Sequence, residues 1–452
     1  MRPDPNFQNL NAGFRVIART DVRAPVGLKG SFRARQPQFS ALSVCSLGLI
    51  CFLSLASADV TQLSQFQEKS QFFQLREALQ RSGWNDYWYL FYRAFVESRF
   101  GKETAAIADF RRFLALPGDP VQQRKAYEEL ASALVRVGRY GEAAHALAQA
   151  LRLTPPGDAD RAATENSRAI YESLADVAPQ TVEIGEEVST QASRNPLGSW
   201  NVPVEVNGRQ GEWIFDTGAN FSTLSESEAA RIGLKPHKTG TYVNGSTGRK
   251  NPLRFAVARD LRFGNGHLRN VIFLILADQA LYISPLKYQI RGILGLPVLR
   301  ALGCVSMSAK GELRIETKAA GGAGPPNLFL DGWELIADVR HGTQRLQMFL
   351  DTGANASFVY PSFRGSLTKD EIARLERKQD TVGGAGGTVN RMTEVAPTLL
   401  LGILGRSVAL KDISLLPDQP TGGRSYRDGV LGMDALHDGF TLDFRSMQLR
   451  LE

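Results

Sequence analysis

Apolar positions change their spacing twice along the chain. From Arg124 the sequence runs R-K-A-Y-E-E-L-A-S-A-L-V-R-V-G-R-Y-G-E-A-A-H-A-L-A-Q-A-L-R-L-T-P-P. Ala126, Leu130, Leu134 and Val137 share one helical face and Gly138 interrupts it. Ala143, Leu147, Ala150 and Leu151 then form a second stripe that stops before Pro155 and Pro156. The pattern predicts a helical hairpin. A looser copy lies upstream, D-Y-W-Y-L-F-Y-R-A-F-V-E-S-R-F-G-K-E-T-A-A-I-A-D-F-R-R-F-L-A-L-P-G, with Gly101 and Ala106 each 37 residues before Gly138 and Ala143. Residues 160–178 predict a closing helix. After a polar linker, 181–198, short β-branched and aromatic runs are separated by Gly, Asn and Pro, so the remainder reads as all-β.

Within that remainder one arrangement occurs twice. W-N-V-P-V-E-V-N-G-R-Q-G-E-W-I-F-D-T-G-A-N-F-S predicts a hairpin turning at Asn207-Gly208, then a strand ending at Phe215, then Asp216-Thr217-Gly218. L-I-A-D-V-R-H-G-T-Q-R-L-Q-M-F-L-D-T-G-A-N-A-S repeats it, with Asp351-Thr352-Gly353 closing the apolar strand Met348 to Leu350. Gly292-Ile293-Leu294-Gly295 ends 79 residues after Asp216, and Gly429-Val430-Leu431-Gly432 ends 81 residues after Asp351. Each is followed by a short stretch expected to be helical, L-P-V-L-R-A-L-G and M-D-A-L-H-D-G, and by a final strand, Glu312 to Glu316 and Met447 to Leu451. Residues 199–317 and 327–452 therefore read as one fold used twice, joined by a Gly/Ala/Pro-rich linker at 318–326.

Composition narrows the function. The 452 residues are 43% hydrophobic and 22% charged, enough to bury a sizeable core spread over two to four domains. The net charge of +7 would raise the question of nucleic acid, but residues 1–38 hold seven basic side chains against Asp4 and Asp21. Little positive charge is left for the folded part, so a nucleic-acid surface has no support. Residues 39–58 are uncharged and end in Ala56-Ser57-Ala58, the pattern of a secretory signal peptide. The alternative for 1–58 is an uncleaved membrane anchor, which would place the protein at a membrane; five serines and the small-residue end favour cleavage. The protein is expected to be exported, periplasmic or secreted. Cys45 and Cys51 lie in that leader, leaving Cys304 alone, so no disulfide framework is expected. The five histidines are scattered singly and no metal site is expected.

The helical pattern resembles a tetratricopeptide repeat, carried by Tyr127, Leu130, Gly138, Tyr140, Ala143, Ala150 and Pro155. The resemblance implies a module over 59–180 that offers a groove to a peptide or partner protein; a helical prodomain or spacer accounts equally for the pattern. The doubled D-T-G-A with its distant apolar-apolar-Gly resembles the aspartic peptidases, in particular their retropepsin-like branch, over the last 250 or so residues. The fold this implies is multidomain: an all-α helical-repeat module followed by an all-β bilobal aspartic-protease fold, with lobes at 199–317 and 327–452.

The resemblance implies an aspartic endopeptidase acting on a peptide or protein substrate, without a cofactor. Asp216 and Asp351 would be its catalytic pair, meeting around one water and sharing a proton, because two adjacent carboxylates cannot both ionise. Thr217 and Thr352 would tie the two loops together, and Gly218 and Gly353 would let them approach closely. Ala219 and Ala354 stand where pepsin-like enzymes usually carry a hydroxyl, and losing that donor should raise the pair's pKa values and give an optimum less acidic than pepsin's. Flap hairpins are expected around Tyr242 and Gly245 in the first lobe and around Gly384 and Gly386 in the second. Asn220, Asn244 and Asn355 each begin an N-x-S sequon, and glycans at Asn220 or Asn355 would sit beside the pair, which favours a setting without such glycosylation. The other reading is a peptide-binding scaffold with peptidase-like lobes and no turnover; retention of both aspartates argues against it.

Overall fold

The structure is a computed structural model that describes residues 11–12, 15–19, 59–81, 87–245, 250–317, 324–384, 387–416 and 426–452. Of the expected leader, only 11–12 and 15–19 fall among these, as short strands beside two hairpin edges described below. The apolar run 39–58, Gly386 and residues 318–323 of the second linker lie outside the described residues. Among those described, no helix is long and apolar enough to cross a membrane.

Seven helices come first: α1 (Val60–Glu68), α2 (Phe72–Arg81), α3 (Tyr87–Arg99), α4 (Glu103–Leu114), α5 (Pro120–Arg136), α6 (Tyr140–Leu153) and α7 (Arg161–Ser173). The two predicted hairpins are α3–α4 and α5–α6, and α7 closes against α6. Helix α5 begins where its sequence says it should. Asp119 accepts from the Gln122 amide at 3.1 Å, and Pro120 occupies a first-turn position that has no hydrogen bond to lose.

The first lobe contains β1 (Trp200–Val206), β2 (Arg209–Phe215), β3 (Ser222–Ser225), β4 (His237–Gly245), β5 (Lys250–Ala258), β6 (Val271–Leu276), β7 (Gly292–Leu294), β8 (Cys304–Ser308) and β9 (Glu312–Ile315). The second contains β10 (Glu334–His341), β11 (Gln344–Leu350), β12 (Phe358–Val359), β13 (Glu376–Gly384), β14 (Gly387–Ile403), β15 (Arg406–Leu415), β16 (Gly429–Leu431), β17 (Gly439–Asp443) and β18 (Gln448–Leu451). Strand order in the first is β4-β5-β6-β3-β7-β2-β1, and in the second β13-β14-β15-β12-β16-β11-β10. The two orders are the same. Inward residues of β1 alternate with partly exposed ones, Trp200, Val202, Val204 and Val206 being buried, as period-two patterning requires.

A third sheet, β18-β17-β8-β9, joins the lobes. Its centre pairs β8 with β17 antiparallel, from Cys304 opposite Asp443 to Ser308 opposite Gly439, so each lobe contributes one hairpin about an approximate two-fold axis.

Two sequence expectations change here. Residues 181–198 are not a free linker: 181–184 pairs with Gly266–Arg269, 189–191 extends β9, and 193–194 pairs with β1. Val182 and Ile184 pack on the first lobe's core, and these two alternating apolar positions are what the polar composition concealed. The stretch after Gly432 forms turns, whereas its counterpart Leu296–Ala301 is helical. Pro297 suits a helix start, while Asp434 at the same place accepts from the Ala435 and Ser357 amides at 2.9 and 2.8 Å and so competes with helical bonding.

The helices dock directly on the lobes. Phe72 and Phe73 each bring their rings to 5.1 Å from Phe329. Buried Arg99 pairs with Glu129 at 2.8 Å and with Asp331 of the second lobe at 3.1 Å. Glu103 takes Arg136 at 3.0 Å and Arg300 of the first lobe at 2.5 Å. Burial alone would raise the Glu103 pKa, but Arg300 and then Arg136 outweigh it and hold the carboxyl below its ordinary value. Glu103→Ala would leave the buried Arg136 without its carboxylate, and breaking a buried pair in this way costs about 3–5 kcal/mol. Urea denaturation should show that loss; a change under about 1 kcal/mol would mean that the pairing does not join helices to lobes.

Candidate active site

The two D-T-G loops face each other where β2 and β11 end. Each loop is pinned to its own lobe by the same three bonds. The Asp216 amide donates to the Leu294 carbonyl and the Asp351 amide to that of Leu431, both at 3.0 Å. The Leu296 and Met433 amides donate to Ala219 and Ala354 carbonyls, both at 2.9 Å. The Gly295 and Gly432 amides donate to the hydroxyls of Ser222 and Ser357, at 3.0 and 2.9 Å. The distant glycine of the motif thus has its job on the adjoining strand: a Cβ on Gly295 would lie 2.7 Å from the Ala219 carbonyl oxygen, and one on Gly432 2.7 Å from Ala356.

Across the axis the loops are tied by threonine. The Thr217 amide donates to the Thr352 hydroxyl at 3.0 Å, and that hydroxyl donates to the Phe215 carbonyl at 3.0 Å. Reciprocally, the Thr352 amide donates to the Thr217 hydroxyl at 3.1 Å, which donates to the Leu350 carbonyl at 2.8 Å. All four groups are buried, so each bond replaces one that water can no longer make.

The grip brings the carboxyl groups into contact. Asp216 and Asp351 are 0% and 1% exposed and lie close enough that the charge of Asp351 raises the Asp216 pKa. A Cβ on Gly218 would fall 2.5 Å from the Asp351 carboxyl carbon, and one on Gly353 2.5 Å from that of Asp216, so any side chain at either position would displace the opposing carboxyl. Asp216 accepts from the Gly218 amide at 2.7 Å; Asp351 accepts from those of Gly353 and Ala354 at 3.0 and 3.1 Å. The Asp216 pKa is nevertheless raised well above the ordinary carboxylate range, first by burial and then by the neighbouring Asp351 charge, against the pull of the Gly218 and Ala219 amides. The leading cause is burial rather than the missing hydroxyls at Ala219 and Ala354.

Of the flap candidates, Tyr242 lies in β4, Gly245 ends β4, and Gly384 ends β13; the hairpins β4–β5 and β13–β14 occupy the same edge of their respective sheets. Asn220 is buried, which leaves no room for a glycan, while Asn355 is partly exposed. Sequence reasoning passed over Ser222 and Ser357, although a serine six residues after each aspartate is part of the repeated segment. It also passed over Ser199, whose buried hydroxyl donates to the Gly353 carbonyl at 2.9 Å, and Asp434, which accepts the Ser357 hydroxyl at 2.5 Å. Among the described residues no group of His, Cys, Asp and Glu could hold a metal ion.

Residues 202–298 match the family described as Aspartyl protease. Among solved structures the chain is similar to a retropepsin-like aspartic protease from Rickettsia conorii, at 20% identity, with 30% of this chain and 95% of that one covered and a TM-score of 0.22. No curated protein matches the chain. The first lobe is thus an aspartic protease-like domain, and the second repeats its strand order and its D-T-G loop.

Thr352→Val keeps the side-chain shape but removes both the acceptor for the Thr217 amide and the donor to the Phe215 carbonyl. Leaving buried partners unsatisfied should destabilise the protein by about 2–4 kcal/mol. Chemical denaturation reads this directly, and a loss below about 0.5 kcal/mol would mean that the loops do not depend on the grip.

Proposed function

We propose that the chain is an exported aspartic endopeptidase that hydrolyses peptide bonds with a water activated between Asp216 and Asp351. The observation that carries this reading is the contact between two buried carboxyl groups, one of which burial and its neighbour's charge keep protonated where isolated carboxyls ionise. In the singly protonated pair, the ionised member takes a proton from water as the oxygen attacks the scissile carbonyl. The protonated member donates to the forming oxyanion, and collapse of the tetrahedral species delivers a proton to the leaving amine. The two roles belong to the pair rather than to either residue. Thr217, Gly218, Thr352 and Gly353 hold the loops, and Tyr242, Gly245 and Gly384 belong to flaps that close on the substrate. No cofactor or metal enters this scheme.

The apolar run 39–58 supports export. The tetratricopeptide-like pattern of the helices supports a role in engaging a protein partner or substrate.

Cleavage of a peptide library by the wild type, Asp216→Asn and Asp351→Asn tests the reading. Each variant should lose turnover by about a thousandfold or more, because each removes a group that transfers a proton in the transition state. Equal turnover by all three would end the peptidase assignment; binding without turnover by the wild type would make the protein a peptide-binding scaffold.

The raised Asp216 pKa also sets a pH expectation. The singly protonated pair persists to higher pH than in an acid-optimised enzyme, so activity should extend above about pH 4. A profile that peaks near about pH 2 and has fallen away by about pH 4 would contradict it.

A further inference from the structure

Helix α7 is attached on two sides. Its C-terminal end leads into 181–184, which pairs with Gly266–Arg269, and the Asn270 and Gln180 side chains donate to the Pro179 and Pro297 carbonyls at 3.2 and 3.1 Å. These bonds fix it to the body of the first lobe. Its other face packs on β4, where the half-buried Asn166 amide donates to the Tyr242 carbonyl at 3.1 Å.

The place of that bond matters because the first hairpin's ladder is irregular beside it. Tyr242 stands opposite Pro252 of β5 in a non-hydrogen-bonded pair, since proline has no N–H, so the Tyr242 carbonyl points to the outer edge of β4, and the register shifts between Pro252 and Arg254. Asn166 meets that carbonyl from outside the sheet, next to the shift. The second hairpin has no such shift: β13 pairs with β14 evenly from Glu376 opposite Val395 to Gly384 opposite Gly387, and no proline lies among those partners.

We propose that Asn166 is a positioning residue for peptide binding, through which α7 holds the outer edge of the first-lobe flap beside the shift in its strand pairing. This rests on the flap role assigned to β4–β5 above. The helical region then acts on the cleft itself, in addition to anything it recruits.

The test uses the full chain carrying Asn166→Leu, which removes the donor at similar size, with Asn166→Gln to keep a donor and Glu165→Ala as an exposed control on the same helix. Should Asn166→Leu fold poorly, Asn166→Ala replaces it. Hydrogen exchange across 239–245 should speed up about tenfold in Asn166→Leu while exchange across 376–383 stays unchanged. The KM for peptides should rise about three- to tenfold with kcat within about twofold, and Asn166→Gln should recover part of both effects. Unchanged exchange, equal loosening of both hairpins, or selective loosening with an unaltered KM would each overturn the proposal. If the wild type cleaves no peptide, the peptidase reading fails on its own, and the exchange difference between the hairpins still decides whether α7 clamps the first.

Discussion

Two carboxyl groups buried against one another are costly, and the rest of the structure is arranged around keeping them there. Desolvation and mutual repulsion both oppose the charged form. What holds the pair together is neutral and rigid: amides of the same loops, a reciprocal threonine grip across the axis, and glycines at which even a methyl group would strike the opposing carboxyl. Behind these, Ser222 and Ser357 fix each loop to the strand carrying the distant glycine. The joining sheet then keeps the lobes from separating by pairing β8 with β17 through five residues.

Acid acts in opposite directions on the site and on its support. Asp216 has a folded-state pKa above its unfolded value, so its protonation favours folding; that contribution is complete below the unfolded pKa and is lost as pH rises through the folded one. Glu103 has a folded-state pKa below its unfolded value, so the stability it adds is present above the unfolded pKa and is lost as pH falls through the folded one. Conditions acidic enough to neutralise Glu103 would weaken the junction of helices and lobes while leaving the carboxyl pair protonated. The two effects bracket a working range from either side.

How much of this was legible in the chain depends on how local the physics is. The D-T-G loops were readable because a glycine facing an aspartate leaves the opposing carboxyl its place, and the motif stands in both halves. The hairpins α3–α4 and α5–α6 were readable because their apolar stripes repeat at helical spacing. Ser222 and Ser357 were in view but mute, since their partners lie 73 and 75 residues further on. The strands within 181–198 were missed because only Val182 and Ile184 mark them, and the junction through Glu103, Arg136 and Arg300 was missed because charged residues on an isolated helix read as solvent-facing. Asp434 left no signal at all: its role follows from what the chain does at Pro297 in the other half.

That last difference reaches beyond local geometry. Behind the Asp351 loop, Ser357 donates to the half-buried Asp434 carboxyl, whose pKa desolvation raises, while the corresponding Ser222 faces the start of a helix whose first turn holds proline. A peptide has a beginning and an end. A site built from two identical halves cannot tell which way a peptide runs through it, whereas here the two halves differ in hydrogen bonding behind their loops. On the peptidase reading proposed above, the two threading directions would therefore be unequal in energy, and one chain holding both halves would give the cleft a polarity to set against that of a peptide.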